Sequence, residues 1–239
     1  MPGGGYGGGS RRESDLANSR SRASTAAPSL TEQAYGRLEE MIVTLALPPG
    51  SAISEGDLCE RTGFGRTPVR EALQRLAQQR LVVILPRRGM LVAPIDVAGQ
   101  LQLLDLRREI ERLMARLAAR RRDMAEAARF ARLADEMEAA AGRDDDRAFL
   151  RLDRTFNELL DAACRNEFAG ASMRQWNPLS RRFWYQHYRR AGDMPETARR
   201  HAAVARAVAT GDEAAAAAAA DALIDHLAGF TRATLDADA

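Results

Sequence analysis

Arg66, Thr67, Arg70 and Gln74 recur at spacings that set them on one side of a helix. Val69, Ala72, Leu73 and Leu76 take the other side at the interval of an apolar helical stripe. A guanidinium is a planar fork that matches guanine O6 and N7 in the major groove, so Arg66 and Arg70 have the chemistry of base readers. Thr67, near a helix start, has that of a phosphate donor. A second basic point follows at Pro86-Arg87-Arg88-Gly89, where Arg88 and Gly89 suit backbone or minor-groove contact. The competing account is a solvated helix face, and the agreement of spacing, caps and hairpin weighs against it.

A different set of polar residues falls on apolar helical faces. Asp153 lies among Phe149, Phe156 and Leu160, with Asn157 one turn on; His201 shares a face with Val204 and Val208, and His226 with Leu223, Leu227 and Phe230. A buried carboxylate or imidazole has to be paired, hydrogen-bonded or ligated. Asp153, Asn157, His201 and His226 therefore suit one divalent cation (Zn²⁺, Ni²⁺ or Mn²⁺), with the amide oxygen as the weaker ligand, or a metal-free polar pocket; satisfied core histidines are the plain alternative. Arg107, with Arg181 and Arg182 in reserve, is shaped to clamp a carboxylate, against the competing account of a surface salt bridge to Glu111. His187, inside Phe183-Trp184-Tyr185-Gln186-His187-Tyr188, reads equally as pocket wall and as core.

The elements that position the first set read as a winged helix-turn-helix. A helix over about 31–46, with Tyr35, Leu38, Met41, Ile42 and Leu45 inward, ends at Pro48-Pro49-Gly50. Ser54, with Asp57 three residues on, opens a helix to Thr62; Gly63-Phe64-Gly65 interrupts it; Thr67 as cap and Pro68 as first helical residue open the next. Leu81–Leu85 and Met90–Ala93 are strands joined at the basic tip. Beyond Asp96 the pattern changes to helices over about 97–121, 124–141, 146–164, 170–189, 195–210 and 212–234. The fold class is mainly α: an N-terminal winged helix-turn-helix (31–96) and a C-terminal helical bundle (97–239), preceded by a Gly-, Ser- and Arg-rich disordered tail (1–30).

Bulk charge conceals this division. The 239 residues carry a formal charge of only +2. Between 61 and 95, however, seven arginines stand against Glu71 alone, while 31–60 is acidic, as expected of a specific nucleic-acid surface. Every basic residue is arginine, and Cys59 and Cys164 are too few for a disulfide framework. With no apolar stretch approaching about 20 residues and no signal core, a soluble cytoplasmic protein is expected.

Residues 34–96 resemble the DNA-binding domain of the GntR transcription factors, on the run Arg66-Thr67-Pro68-Val69-Arg70-Glu71-Ala72-Leu73 and the Pro-Arg-Arg-Gly wing. Gly65 stands where members usually carry Ser or Thr, and Gly56 where some carry a DNA-contacting Arg. The second half is similar to the FCD effector domain of the FadR branch, on Leu106-Arg107-x-x-x-Glu111, Asp153-x-x-Phe156 and Arg200-His201 leading to Gly211-Asp212. Many such domains bind a divalent metal through an Asp, a His four residues later and two further histidines; here the second position is Asn157, and His226 comes about one turn late. The resemblance implies a homodimeric regulator, a repressor in the first instance, that reads a double-stranded inverted-repeat operator and answers to a small carboxylate metabolite. A metal-dependent hydrolase built on Asp153, His201 and His226, and a constitutive DNA binder with a structural dimerisation bundle, are the alternatives.

Overall fold

The computed structural model describes residues 27–191 and 193–237. The expected tail lies outside the described residues up to 26, and its last residue, Leu30, already begins a helix. Ser29 accepts from the Glu32 amide while Glu32 returns a bond to the Ser29 amide, a reciprocal cap that starts α1 (Leu30–Val43). After α1 come β1 (Ala52–Ile53), α2 (Glu55–Thr62), α3 (Arg66–Gln78), β2 (Val82–Leu85) and β3 (Gly89–Val92). The three strands form one antiparallel sheet in the order β1-β3-β2, with Val82 opposite Val92 and Ala52 opposite Leu91.

Local chemistry explains most of these boundaries. Ser54 caps α2 by accepting from Asp57, and Gly63 ends it in the left-handed conformation (φ 76°) that glycine adopts without steric cost. The next helix starts earlier than its Thr-Pro pair suggests. Gly65 is the N-cap, and the first intrahelical bond runs from the Val69 amide to the Gly65 carbonyl. Thr67 is thus inside the helix, and Pro68 occupies the last position whose amide would have had no helical partner. Helix α1 also stops before Leu45, which turns left-handed (φ 59°) and leaves Leu47 to complete the core.

Helix α3 ends in a Schellman arrangement: the Leu81 amide bonds the Leu76 carbonyl and the Arg80 amide the Ala77 carbonyl. Leu76 and Leu81 are both fully buried, which supplies the apolar contact of that motif, and Arg80 takes the left-handed position (φ 58°) usually given to glycine. At the hairpin tip Arg87 is also left-handed (φ 62°), in a turn closed from the Arg88 amide to the Leu85 carbonyl.

Six helices follow: α4 (Val97–Arg121), α5 (Met124–Arg143), α6 (Asp146–Cys164), α7 (Glu167–Ala191), α8 (Met194–Thr210) and α9 (Glu213–Ala237). Aspartates 96, 123 and 145 cap α4, α5 and α6 through their side chains. Helix α5 lies along α8, and α9 packs against both α4 and α8. The bundle core is rich in Ala, Leu, Val and Met, so the helix axes approach closely around a few aromatic rings such as Phe130 and Phe156. A separate core (Leu38, Ile42, Leu58, Val69, Leu73, Leu76, Leu81, Val92) fills the winged domain, and Leu179 of α7 packs against it. No described helix is long and apolar enough to cross a membrane.

Candidate functional site

Two places gather the candidate functional side chains, and α7 joins them. On α3 the apolar stripe Val69, Ala72, Leu73 and Leu76 is buried, so Arg66, Thr67, Arg70 and Gln74 are turned to solvent. Arg87, Arg88 and Gly89 are exposed at the wing tip. Among the described residues Arg66 makes no ion pair or side-chain hydrogen bond, and it is exposed. Arg70 is engaged: its Nε donates to Glu55 Oε1 at 2.9 Å and its Nη2 to Glu55 Oε2 at 2.8 Å, a bidentate pair between α3 and α2. That pair holds Glu55 below the usual carboxylate range, chiefly through the hydrogen bond from Arg70. Arg70 is 60 % exposed, so its bond to Glu55 is one that a nucleic-acid acceptor can replace at little cost.

The winged domain is fastened to the bundle along α7. Pro178 stands inside this helix and has no amide proton, so the carbonyl four residues back, on Arg174, lacks its helical donor. Gln79, the C-cap of α3, fills the gap: its Nε2 donates to the Arg174 carbonyl at 3.0 Å, and its Oε1 accepts from the Tyr35 hydroxyl at 3.0 Å. Burial pushes the Tyr35 phenol well above its ordinary value, with the charge of Glu39 adding to the effect. Arg182 donates to the carbonyls of Ala93 (2.8 Å) and Pro94 (3.2 Å) in the interdomain link, and burial pushes its guanidinium down to about 10. Arg182 is therefore a tether of the linker and does not reach the bundle pocket as a carboxylate clamp.

Inside the bundle, Asp153 (α6), His201 (α8), Arg107 (α4) and Arg181 (α7) line one cavity with Gln100, Ser180 and Thr197. Phe149, Phe183, Trp184 and Phe230 form its apolar wall. Asp153 Oδ1 lies 3.4 Å from His201 Nε2, and Oδ2 lies 3.1 Å from Arg181 Nε. His201 Nδ1 is 2.8 Å from the Thr197 carbonyl, which can only accept, so Nδ1 carries a proton and Nε2 faces the carboxylate. Arg107 lines the cavity but is bound to Glu111, Nε to Oε1 at 2.6 Å, so the salt bridge weighed as its competing account is present, buried and not at the surface. Gln100 and Ser180 bond each other at 3.1 Å.

Burial alone would raise the Asp153 carboxyl and lower the His201 imidazole. Their mutual hydrogen bond and charge reverse both effects, helped by Arg181 and Arg107 for Asp153 and by the Thr197 carbonyl and Glu111 for His201. Asp153 titrates below its ordinary range and His201 above its own. The space open to water-sized molecules is about 40 Å³, room for a few atoms only.

Asn157 and His226 stand elsewhere. The Asn157 amide nitrogen donates to the Asp153 carbonyl (2.8 Å) and to Oδ1 (2.9 Å), which fixes the amide with its nitrogen toward the acid. The rest of Asn157 borders a second cavity of about 200 Å³ between α1 and the bundle. His226 Nε2 is 2.8 Å from Asp193 Oδ1 and 3.1 Å from Thr197 Oγ1, outside the pocket lining. Asp193 also accepts from Trp184 Nε1 at 2.8 Å and from the Thr197 hydroxyl. The expected donor set thus does not converge: Asp153 and His201 come together, a guanidinium takes the second carboxylate oxygen, and His226 belongs to another acid. Among the described residues no group of three or more His, Cys, Asp or Glu side chains is placed to hold a metal ion. In this arrangement Asp153, Asn157, His201 and His226 do not share one coordination centre. His187 lies tilted against Phe183, with ring centroids 4.8 Å apart and ring planes 39° from parallel. Thr197, Asp193 and Glu39 carry no cue in the chain's local pattern, since each also meets a side chain from another helix.

Bacterial regulatory proteins of the gntR family match over residues 30–92, and the FCD domain matches over residues 102–226, just over half of the chain. The chain belongs to the GntR family. Among relatives of this GntR-family protein, the HTH-type transcriptional repressor RspR of Escherichia coli K12 is 31% identical over 131 residues, 55% of this chain and 58% of that one. An HTH-type regulator from an unstable DNA locus of Streptomyces ambofaciens is 43% identical over 77 residues, 32% of this chain and 33% of that one. The similarity therefore spans from a third to somewhat over half of the length of these curated relatives. Two solved structures share the fold: E. coli McbR/YncC, with a TM-score of 0.73 and 19% identity over 87% of this chain and all of that one, and a GntR regulator from Rhodococcus sp. RHA1, with a TM-score of 0.64 and 21% identity over 86% and 99%.

Proposed function

We propose that this GntR-family chain is a DNA-binding transcription regulator, a repressor acting in the cytoplasm as a homodimer. Two copies of α3 on a two-fold axis would read the half-sites of an inverted-repeat operator. The observation that carries the reading is the solvent-facing row Arg66, Thr67, Arg70 and Gln74 on a helix whose other side is the domain core, flanked by the wing arginines. Arg66 and Arg70 would contact base edges, with Gln74 below them, and Thr67, Arg88 and Gly89 would lie against the backbone.

The bundle pocket would hold a small organic acid, its carboxylate toward Arg107, Arg181 and His201 and its carbon skeleton against the aromatic wall. A space of about 40 Å³ admits such a molecule only if the ion pairs around it move. Occupancy is then linked to conformation, as effector control requires. The cationic part is supplied by the two arginines and the imidazole. Asn157 and His226 would support this set from outside, through Asp153 and Thr197. A hydrolase reading finds no support, since the family and its relatives are regulators.

A gel-shift titration against DNA upstream of the chain's own gene, at fixed salt, tests the proposal. Arg66→Ala should cost about 1–3 kcal/mol of operator affinity and relax preference at one base position. Equal retention of wild type and variant on operator and scrambled DNA would overturn it.

A further inference from the structure

The bundle pocket and the winged domain share one side chain. Arg181 places its Nε 3.1 Å from Asp153 Oδ2 in the pocket, and its Nη1 donates at 3.2 Å to Oε1 of Glu39 on α1. All three side chains are more than nine-tenths buried, so water and salt do little to screen the triad. The Nε proton has no well-aligned acceptor although a carboxylate is near, so the guanidinium is divided between two acids and saturated by neither. Arg107 has its partner on its own helix, and His201 is bonded within the bundle. Of these three pocket cations, Arg181 is the one with a partner in the winged domain.

From Glu39 the path continues through bonds already described. Tyr35 is one turn back on α1, its hydroxyl meets Gln79, and Gln79 caps the helix that carries Arg66 and Arg70. We infer that Arg181 is the positioning residue through which pocket occupancy reaches the DNA-reading helix: an effector carboxylate beside Asp153 becomes a third claimant on the guanidinium and loosens its hold on Glu39. The inference rests on the effector reading proposed above and assigns the route of its regulation.

Hydrogen exchange on the full chain tests it without any ligand. Asp153→Asn removes one claimant with little change of volume, so Arg181 should settle on Glu39. Amide exchange over residues 35–43 should then slow several-fold relative to the rest of the winged domain, and the slowing should vanish in a Glu39→Gln background. A merely structural effect of Asp153→Asn would instead loosen α6 and α8 and ignore the state of Glu39. Unchanged or faster exchange over 35–43, or the same slowing in the Glu39→Gln background, would overturn the inference. Since no effector is added, an unsuccessful metabolite screen would count against the pocket's assigned occupant and leave this result to stand by itself.

Discussion

The face of α3 and the pocket of the bundle both depend on arginine, yet they use it in opposite ways. On the outer face of α3 the guanidinium groups of Arg66 and Arg70 are in water, and Arg70 is joined to Glu55 by an exposed bond. In the bundle Arg107 and Arg181 are almost completely buried, each against acids that are equally buried. An exposed ion pair contributes about 0–1 kcal/mol and can be traded for a phosphate or a base. A buried one is costly to open, because the group left behind keeps its charge without solvent. The reading face is therefore ready to exchange partners, whereas the pocket resists change until something of equal charge enters.

Breaking the buried side should produce the largest effect. Arg107→Ala strands Glu111 in the core and should cost about 3–5 kcal/mol in urea unfolding, with the residues of the α3 face unaltered in sequence and exposure. A cost below about 1 kcal/mol would mean that Glu111 finds water, and that the contrast between the regions is smaller than drawn here.

A pH series sharpens the comparison at intermediate size. The raised His201 contributes stability that is complete below its unfolded value of about 6.5 and lost as pH rises through its folded value. The depressed Asp153 contributes stability that is present above its unfolded value of about 3.9 and lost as pH falls through its folded value. Stability from this pair should peak between the two, and His201→Gln should flatten the loss on the alkaline side. An alkaline slope equal in variant and wild type would remove His201 from the account.

The exposed side should respond least. Glu55→Gln frees the Arg70 fork and removes an anion beside the DNA face, so operator affinity should rise slightly in the gel-shift titration. A fall in affinity would show that Glu55 aims Arg70 and does not compete for it.

The same contrast explains what could be read from the chain. The winged domain is legible because its determinants are neighbours in sequence: Ser54 and Asp57, Gly63, the stripe from Val69 to Leu76, and the basic tip lie within a short segment. The exceptions are small. β1 has two residues, too few for any periodicity, and Thr67 looks like a cap only while Gly65, lacking a side chain, escapes notice. The bundle helices also declare themselves, through aspartate caps and, after α8, the glycine stop at Gly211. Their buried polar residues could be chosen but not matched. Glu39 and Arg181 are 142 positions apart, and whether His226 turns to Asp153 or to Asp193 depends on helix rotations that local pattern does not encode.

Pro178 sets regularity against communication. A proline inside a long helix is the first residue an engineer seeking heat resistance would replace, because an interior proline costs a helix about 3 kcal/mol. Alanine there would give Arg174 back its own helical donor, and Gln79 would then compete for a carbonyl that is now left to it. The repaired protein would have the sturdier helix and the weaker grip between bundle and winged domain, so that a gain on a melting curve would come with a looser joint between the two halves.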